Sequence, residues 1–387
     1  MNPAGIKLLH VAPRARGIGG IETLLARHAR TDGAHFDATQ IGLFDRAGGG
    51  ETRFHPQGFG WRNTPLGMRA AMRPVLARHA GSVAIWHNAW GLPWFADLDG
   101  ASRRIVVLHA HRDYFADWLP AVRGHLDGIL AVSPAIARDA AALLPDWPGE
   151  RIGVLPLPIA RPAGLRANRR TSGPWVIGCA GRLARAQKRW DRLVLCVAEL
   201  RRLGLDFRIE IIGDGALRPW LEREFRGDAA VTFLGFVDTA EYWRRLATWD
   251  AALFFSDVEG GPIVMLEAMA AGVLPVYPQI GGSVGDDYAP QIDPRCHYPA
   301  GDPVAAARAL HALLALAPAE LEATRTRAQA LAAPHDGDGY ERSFAAFVRR
   351  IVALPRSARP STPRPGRWSD ALPLGAITRL LPGALWR

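Results

Sequence analysis

The sequence predicts an α/β protein made of two successive domains, each a parallel β-sheet covered on both faces by helices. Three observations carry this. The chain has 387 residues, room for two domains at about 150 residues each. Short apolar runs alternate with segments of helical spacing, the order that builds parallel sheets. The alternation is interrupted once, by a polar, proline-bearing stretch with Arg161, Arg166, Arg169 and Arg170, and then restarts.

In the first half, Lys7–Ala12 reads as a strand, followed by a glycine-rich turn and a helix over residues 21–30. Residues 39–43, 82–86, 104–109, 128–132 and 152–157 read as further strands, with helical spacing over 134–144. Residues 1–160 are therefore expected to form the first domain and 161–173 the linker. The second half repeats the pattern: strands over 175–180, 207–212, 231–234, 251–255 and 274–277 alternate with helices over 191–203, 217–225, 241–247 and 262–271. Helices over 303–316 and 339–354 close the chain, which gives a second domain at 174–337 and a separate helix at 338–354. Residues 355–387 turn rich in proline, arginine and serine and are expected to be mostly disordered.

Composition sets outer bounds. Hydrophobic residues make up 49% and charged ones 22%, which excludes wholesale disorder. The net charge of +10 favours anionic partners, but half of it belongs to residues 355–387, with six arginines and one aspartate. Cys179, Cys196 and Cys296 are too few and scattered for a disulfide framework or a zinc site, pointing to a reducing compartment. The N-terminal apolar run is short and broken by His10, unlike a signal peptide. The least charged long stretch, residues 262–280, holds Glu267, Pro275 and Pro278, so no membrane span is expected there.

Three constellations carry chemistry. Arg16-Gly-Ile-Gly-Gly-Ile-Glu22 lies between the first strand and its helix. Its glycines allow backbone N–H groups to approach an anion, or form a merely flexible connection; the spacing is not the dinucleotide fingerprint. Gly181-Arg182, with Lys188 six residues on, follows the first strand of the second domain, where α/β sheets bind ligands. Two cations there suit a diphosphate, or a solvated turn shared with Arg185 and Arg189. The third is Glu259-Gly-Gly-Pro-Ile-Val-Met-Leu-Glu267. Proline suits a helix start, and the free N–H groups of Ile263 and Val264 would face a phosphate. Glu259 then precedes the helix and Glu267 lies inside it, too far along for a glycosidase carboxylate pair. The spacing suits hydroxyls at two ends of an elongated ligand, or two solvated acids on a surface helix.

Taken in order, these motifs resemble those of retaining GT-B glycosyltransferases with a Glu-x7-Glu signature, the glycosyltransferase family 4-like or "glycosyl transferases group 1" enzymes. Gly17 to Glu22 resembles the family's "GG-x-E" loop, Gly181-Arg182…Gln187-Lys188 its "GR…K" loop, and Gly213-Asp214-Gly215, residues 231–236 and Gly281-Gly282 fall where expected. The resemblance covers about residues 6–354 and is more specific in the second half. It implies a GT-B fold, two Rossmann-like domains facing across a cleft, with the 338–354 helix returning to the N-terminal domain. It implies transfer of a sugar from a nucleotide-sugar donor to a hydroxyl of a glycan or lipid-linked acceptor, in cell-surface polysaccharide or lipopolysaccharide synthesis. Arg182 and Lys188 would neutralise the leaving diphosphate. Glu259 would contact sugar hydroxyls, Glu267 the ribose, and the backbone at Phe236 and Val237 the base. Gly19 and Gly20 would approach the phosphates from the first domain. Attack would be front-face, assisted by a phosphate oxygen, with neither metal nor other cofactor.

A histidine near the cleft is common in that family. His109 and His111 are expected on one face of the strand that starts at Arg104, and His111, at its carboxyl end, is the choice to sit by the transferred sugar, His109 being read as a satisfied, half-buried side chain. Trp86 to Trp90 ends another strand at the same edge and serves either an acceptor site or the core. After Gly281-Gly282 the chain departs from the family's Pro-Glu pair, with Val284, Gly285, Asp286 and Asp287, and Asp286 receives no role. The alternatives are a nucleotide-sugar epimerase on the same fold and a non-catalytic polyanion or nucleic-acid binder using the tail. With half the charge in the tail, nucleic acid is not the expected partner. A cytoplasmic enzyme is expected, with the tail drawn to the anionic inner face of a membrane.

Overall fold

The structure, a computed structural model, describes residues 5–17, 19–46, 53–88, 91–98, 100–165, 170–335, 337–357 and 368–380. The chain divides into two compact units, residues 1–155 with 339–387, and residues 156–338.

The first unit holds a seven-stranded sheet: β1 (Lys7–Ala12), β2 (Asp37–Gly42), β3 (Phe54–Pro56), β4 (Val83–His87), β5 (Arg103–Leu108), β6 (Gly128–Ala131) and β7 (Ile152–Val154), in the order β3-β2-β1-β4-β5-β6-β7. The second holds six strands: β8 (Trp175–Ala180), β9 (Phe207–Ile212), β10 (Val231–Gly235), β11 (Ala251–Leu253), β12 (Leu274–Gln279) and β13 (His297–Pro299), in the order β10-β9-β8-β11-β12-β13. Every pairing among the described strands is parallel. Each sheet reverses direction of growth beside its first strand, between β1 and β4 and between β8 and β11. Crevices at such reversal points, beyond the carboxyl ends, are where α/β sheets take ligands.

The strands are near-continuous apolar runs because both faces are covered. Ile177, Ile209, Ile211, Leu274 and Val276 are all 0% exposed. Glycines in strands admit neighbours that a Cβ would exclude. A Cβ on Gly178 would lie 1.8 Å from the Trp249 ring, and one on Gly153 would lie 2.5 Å from Phe347. Phe347 belongs to the helix Tyr340–Ala353, which packs into the first unit. Arg103 ties down the end of that helix, donating to the carbonyls of Ile351, Val352 and Leu354 at 3.2, 3.0 and 2.7 Å.

Several elements escape the sequence reading. β3 and β13 have three residues each, too short for a periodic signal. Helices Pro65–Arg78 and Val284–Ile292 contain Pro74 and Pro290, residues that argue against helix. Helix Pro318–Ala332 buries Thr324 and Arg325 beside Leu321, Ala328 and Ala332, which blurs its apolar face.

The disorder expected of the tail is corrected for its described part. A turn at Trp368–Ala371 leads into a helix at Leu374–Leu380. Leu374 is 0% and Ile377 2% exposed. The amides of Leu374 and Gly375 donate to the carbonyls of Asn63 and Trp61, each at 2.9 Å. Two apolar residues three apart suffice to dock one helical turn, and the surrounding prolines and arginines hid them. Arg359, Arg364, Arg367 and Arg387 lie outside the described residues.

Among the described residues no single helix is long and apolar enough to cross a membrane. Cys179, Cys196 and Cys296 are all buried free thiols.

Candidate functional site

In the second unit, the loops after β8 and β11 are stitched together. The amide of Asp257 donates to the carbonyl of Gln187 at 3.0 Å, and Nε2 of Gln187 to the carbonyl of Val258 at 3.2 Å. This brings Nζ of Lys188 onto Oε1 of Glu259 in a direct ion pair. The hydroxyl of Ser256 donates to the same oxygen at 2.7 Å, and Glu259 is 7% exposed. A carboxylate held this tightly is not a solvated surface acid.

The other cations of the loop separate by role. Arg189, with φ 49 in the left-handed region, bridges Asp191 at 3.1 Å and Asp257 at 2.7 Å. Arg192 binds the second oxygen of Asp257 at 2.5 Å. Arg182 is exposed, its guanidinium donating to Oε1 of Gln187 at 3.3 Å. Its carbonyl accepts from the Trp190 indole at 3.1 Å, which anchors the backbone.

Glycines close the same edge. Gly213 has φ 127, and a Cβ there would stand 2.0 Å from the carbonyl oxygen of Gly181. The amide of Leu183 donates to the carbonyl of Asp214 at 2.8 Å, and that of Gly213 to Gly235 at 2.7 Å, so the ends of β8, β9 and β10 are locked together. Beyond β10, Phe236 is 65% exposed and Val237 follows on the same loop.

Pro262 is the N-cap of the helix Ile263–Ala270 rather than its first residue, a shift of one position from the sequence reading. Its carbonyl takes the amides of Met265 and Leu266, and the first-turn N–H groups of Ile263 and Val264 have no helix partner among the described residues. The helix is a core helix, burying Met265, Leu266, Ala268, Met269 and Ala270, not the amphipathic surface helix of the alternative reading. Glu267 is half-buried and accepts from the Tyr242 hydroxyl at 2.6 Å. Burial pushes its carboxyl up to about 7, against the lowering effect of that hydrogen bond.

The loop after Gly281-Gly282 has a structural explanation. The amide of Val284 donates to the carbonyl of Gly260 at 2.9 Å, tying this loop to the one that carries Glu259. Gly285 lies against Tyr277, where a Cβ would be 2.2 Å from the ring. Asp286 forms a capping box with Ser283 and meets Nε2 of His297 at 3.1 Å.

In the first unit, Gly19 precedes and Gly20 begins the helix Gly20–Thr31. The carboxylate of Glu22 folds back so far that a Cβ on Gly19 would stand 2.3 Å from it. A cavity of about 420 Å³ opens beside this loop, lined by Arg16, Gly17, Glu22, His28 and Gln40 among others. β5 ends at Leu108, so His109 and His111 both lie beyond the strand rather than on it. His111 caps the turn Arg112–Tyr114, its Nδ1 accepting from the amide of Asp113 at 3.3 Å. Trp86 is 0% exposed and belongs to the core; Trp90 lies outside the described residues.

The sequence reading passed over a polar cluster in this unit. His10, His28 and Asp32 place ligand-type atoms within 4.8 Å of one another, and His87 and His109 extend the cluster. No local motif joins positions 10, 28, 32, 87 and 109; only the unbroken histidine-bearing apolar strands hinted at them.

Solved structures share this fold. Two parallel sheets in this order match GT-B glycosyltransferase structures. The lipopolysaccharide outer core galactosyltransferase WaaB superposes with TM-score 0.63 at 17% identity, covering 89% of this chain and 100% of that one. A glycosyltransferase from Rickettsia africae gives TM-score 0.64 at 14% identity, covering 90% and 99%. TarM from S. aureus, in complex with fondaparinux, α-GlcNAc-glycerol and UDP, gives 0.58 at 15% identity over 74% of this chain. The chain spans only about 59% of that protein's length. Residues 174–315, which carry Arg182, Lys188, Glu259 and Glu267, match the family described as glycosyl transferases group 1. No curated protein matches the sequence. The solved structures share the fold, and the family match covers the second unit's residues 174–315.

Proposed function

We propose that the chain is a retaining hexosyltransferase that moves a sugar from a nucleotide-sugar donor to a hydroxyl of a glycan or lipid-linked acceptor. The observation that carries the reading is the Lys188–Glu259 pair, set with exposed Arg182 where β8 and β11 end. A diphosphate entering here takes over Lys188, and Glu259 is released to accept hydroxyls of the sugar. Arg182 and Lys188 then stabilise the charge that develops on the leaving diphosphate. The first-turn N–H groups of Ile263 and Val264 suit a phosphate oxygen. Glu267, about one turn further, suits the ribose, and exposed Phe236 with Val237 the base. Gly19, Gly20 and His111 are proposed to act from the first unit.

The acceptor oxygen forms the new bond to the anomeric carbon on the face the diphosphate leaves. Its proton passes to a phosphate oxygen, and the configuration is retained. The reading needs no metal and no cofactor beyond the donor. UDP bound in TarM and in a pneumococcal O-GlcNAc transferase, GtfA, makes UDP the first nucleotide to try. A role in cell-surface polysaccharide or lipopolysaccharide synthesis, and contact of the basic tail with an anionic membrane, belong to the same proposal.

The test is a thermal-shift and donor-hydrolysis screen against nucleoside diphosphates and their sugar esters. Stabilisation by at least one diphosphate, with slow hydrolysis of a matching sugar ester, is the expected result. A chain indifferent to all of them would end the reading.

A further inference from the structure

A chain of hydrogen bonds runs from ring to ring through the first unit, across the strands where its sheet reverses. Nε2 of His109 faces Nδ1 of His87 at 3.0 Å, and Nε2 of His87 faces Nδ1 of His10 at 3.0 Å. Nε2 of His10 meets Oδ2 of Asp32 at 2.9 Å, and Oδ1 of Asp32 meets Nδ1 of His28 at 2.9 Å. Nε2 of His28 faces the Tyr340 hydroxyl at 3.1 Å. The chain is buried: His10, His28 and His87 are 1–2% exposed and Asp32 3%.

One carboxylate dictates the order of every proton. An ionised aspartate only accepts, so Nε2 of His10 and Nδ1 of His28 must carry hydrogens. A neutral imidazole has a single N–H, so Nδ1 of His10 accepts, and its donor is Nε2–H of His87. By the same step Nδ1 of His87 accepts from Nε2–H of His109, and Nδ1 of His109 is left as a bare lone pair. On the other side, Nε2 of His28 accepts from Tyr340.

The order holds only if His10 is neutral, because a doubly protonated His10 would donate from Nδ1 and reverse everything beyond it. Burial supplies that neutrality, lowering the pKa of His10 and His87 and holding His109 at about 3. Asp32 stays ionised: burial raises it, but hydrogen bonds from His10 and His28 hold its carboxyl well below the usual range.

We propose that Asp32 is a positioning residue for His109. Acting through His10 and His87, it fixes His109 as the Nε2–H tautomer and leaves Nδ1 as an acceptor-only nitrogen beyond β5. His109 is the most exposed member of the chain, at 9%, and its Nδ1 has no partner among the described residues. Asn88, with φ 53, pins it by accepting from the His109 amide at 2.7 Å. Such a nitrogen receives a hydroxyl and refuses a carbonyl or carboxylate. Three imidazoles in series are a costly way to fill a core, where apolar residues of the same volume would do. That the incoming hydroxyl belongs to a sugar rests on the glycosyl-transfer reading; the proton order does not.

The test is heteronuclear NMR of the full chain labelled with nitrogen-15 at histidine. At neutral pH, His10, His87 and His109 are expected to be protonated on Nε2 alone. In His87→Phe, which keeps a flat ring but cuts the chain, His10 keeps its tautomer while His109 loses the single-tautomer pattern and shows both. Asp32→Asn disturbs His10 or His28 directly. A failure of Asp32→Asn to fold would leave His87→Phe to decide. His109 protonated on Nδ1 in the parent, or unchanged in His87→Phe, would overturn the proposal, as would a stoichiometric metal ion on His10, His28 and Asp32. If no nucleoside diphosphate binds the chain, the transfer reading falls, and the NMR result still decides the role of Asp32.

Discussion

Lys188 and Glu259 neutralise each other across two loops that share no sequence neighbourhood. On the proposed reading, a diphosphate that takes the lysine displaces the carboxylate. Lys188→Ala is therefore expected to weaken nucleoside diphosphate binding about 10- to 100-fold, the worth of a charge-assisted hydrogen bond. Glu259→Gln should behave oppositely, binding the free diphosphate as tightly as the parent or more so while sugar transfer falls at least about 100-fold. Calorimetry on both variants separates the two roles. Equal losses of affinity would show that the pair is only structural.

Glu267 should make nucleotide binding pH-dependent. Its carboxyl is held at about 7, so near neutrality much of it is protonated. If the ribose hydroxyls require the ionised form, affinity rises about fivefold between pH 6 and 7, levels off above 8, and releases a proton on binding. Titrations in two buffers of different ionisation enthalpy would detect that proton, and Glu267→Gln should abolish both effects.

Acid should weaken the first unit. His10, His87 and His109 have folded pKa values below the ordinary 6.5, so the unfolded chain binds more protons as pH falls beneath that value. Stability is thus complete above about pH 6.5 and declines below it, His109 alone costing about 2 kcal/mol at pH 5. Denaturant melts across pH 5–8 are expected to show the decline, and His109→Gln should flatten it.

Replacing Gly213 by alanine should destabilise the second unit by about 2 kcal/mol or more. The new Cβ would meet the Gly181 carbonyl oxygen at 2.0 Å, and φ 127 is unfavourable to any side chain. A lowered melting temperature with weaker diphosphate binding is expected, since the loop that carries Arg182 must move.

Leu374→Asp should cost the first unit about 3 kcal/mol, because it buries a charge at a 0% exposed position. An unchanged melting temperature would show that the helix Leu374–Leu380 does not dock in solution.

The fold was legible because both sheets are buried on two faces, which writes their strands as apolar runs that no tertiary context need supply. Arg182, Lys188, Glu259 and Glu267 could be nominated as candidates because each sits at a fixed offset from a glycine or proline of its motif. The docked helix at Leu374–Leu380 was not, since its apolar pair is diluted by arginines and prolines. Nor were the helices that tolerate Pro74 and Pro290.

By itself the sequence determined the α/β class, the two-sheet repeat and the residue types at the ends of β8 and β11. Only the tertiary structure decided what those residues do to one another. The 71 positions between Lys188 and Glu259, and the 77 between His10 and His87, are closed by parallel strand pairing, which sets distant residues side by side. Charge pairing and proton order depend on distances of about 3 Å. Local sequence carries no record of such distances, whereas burial and periodicity are written along the chain.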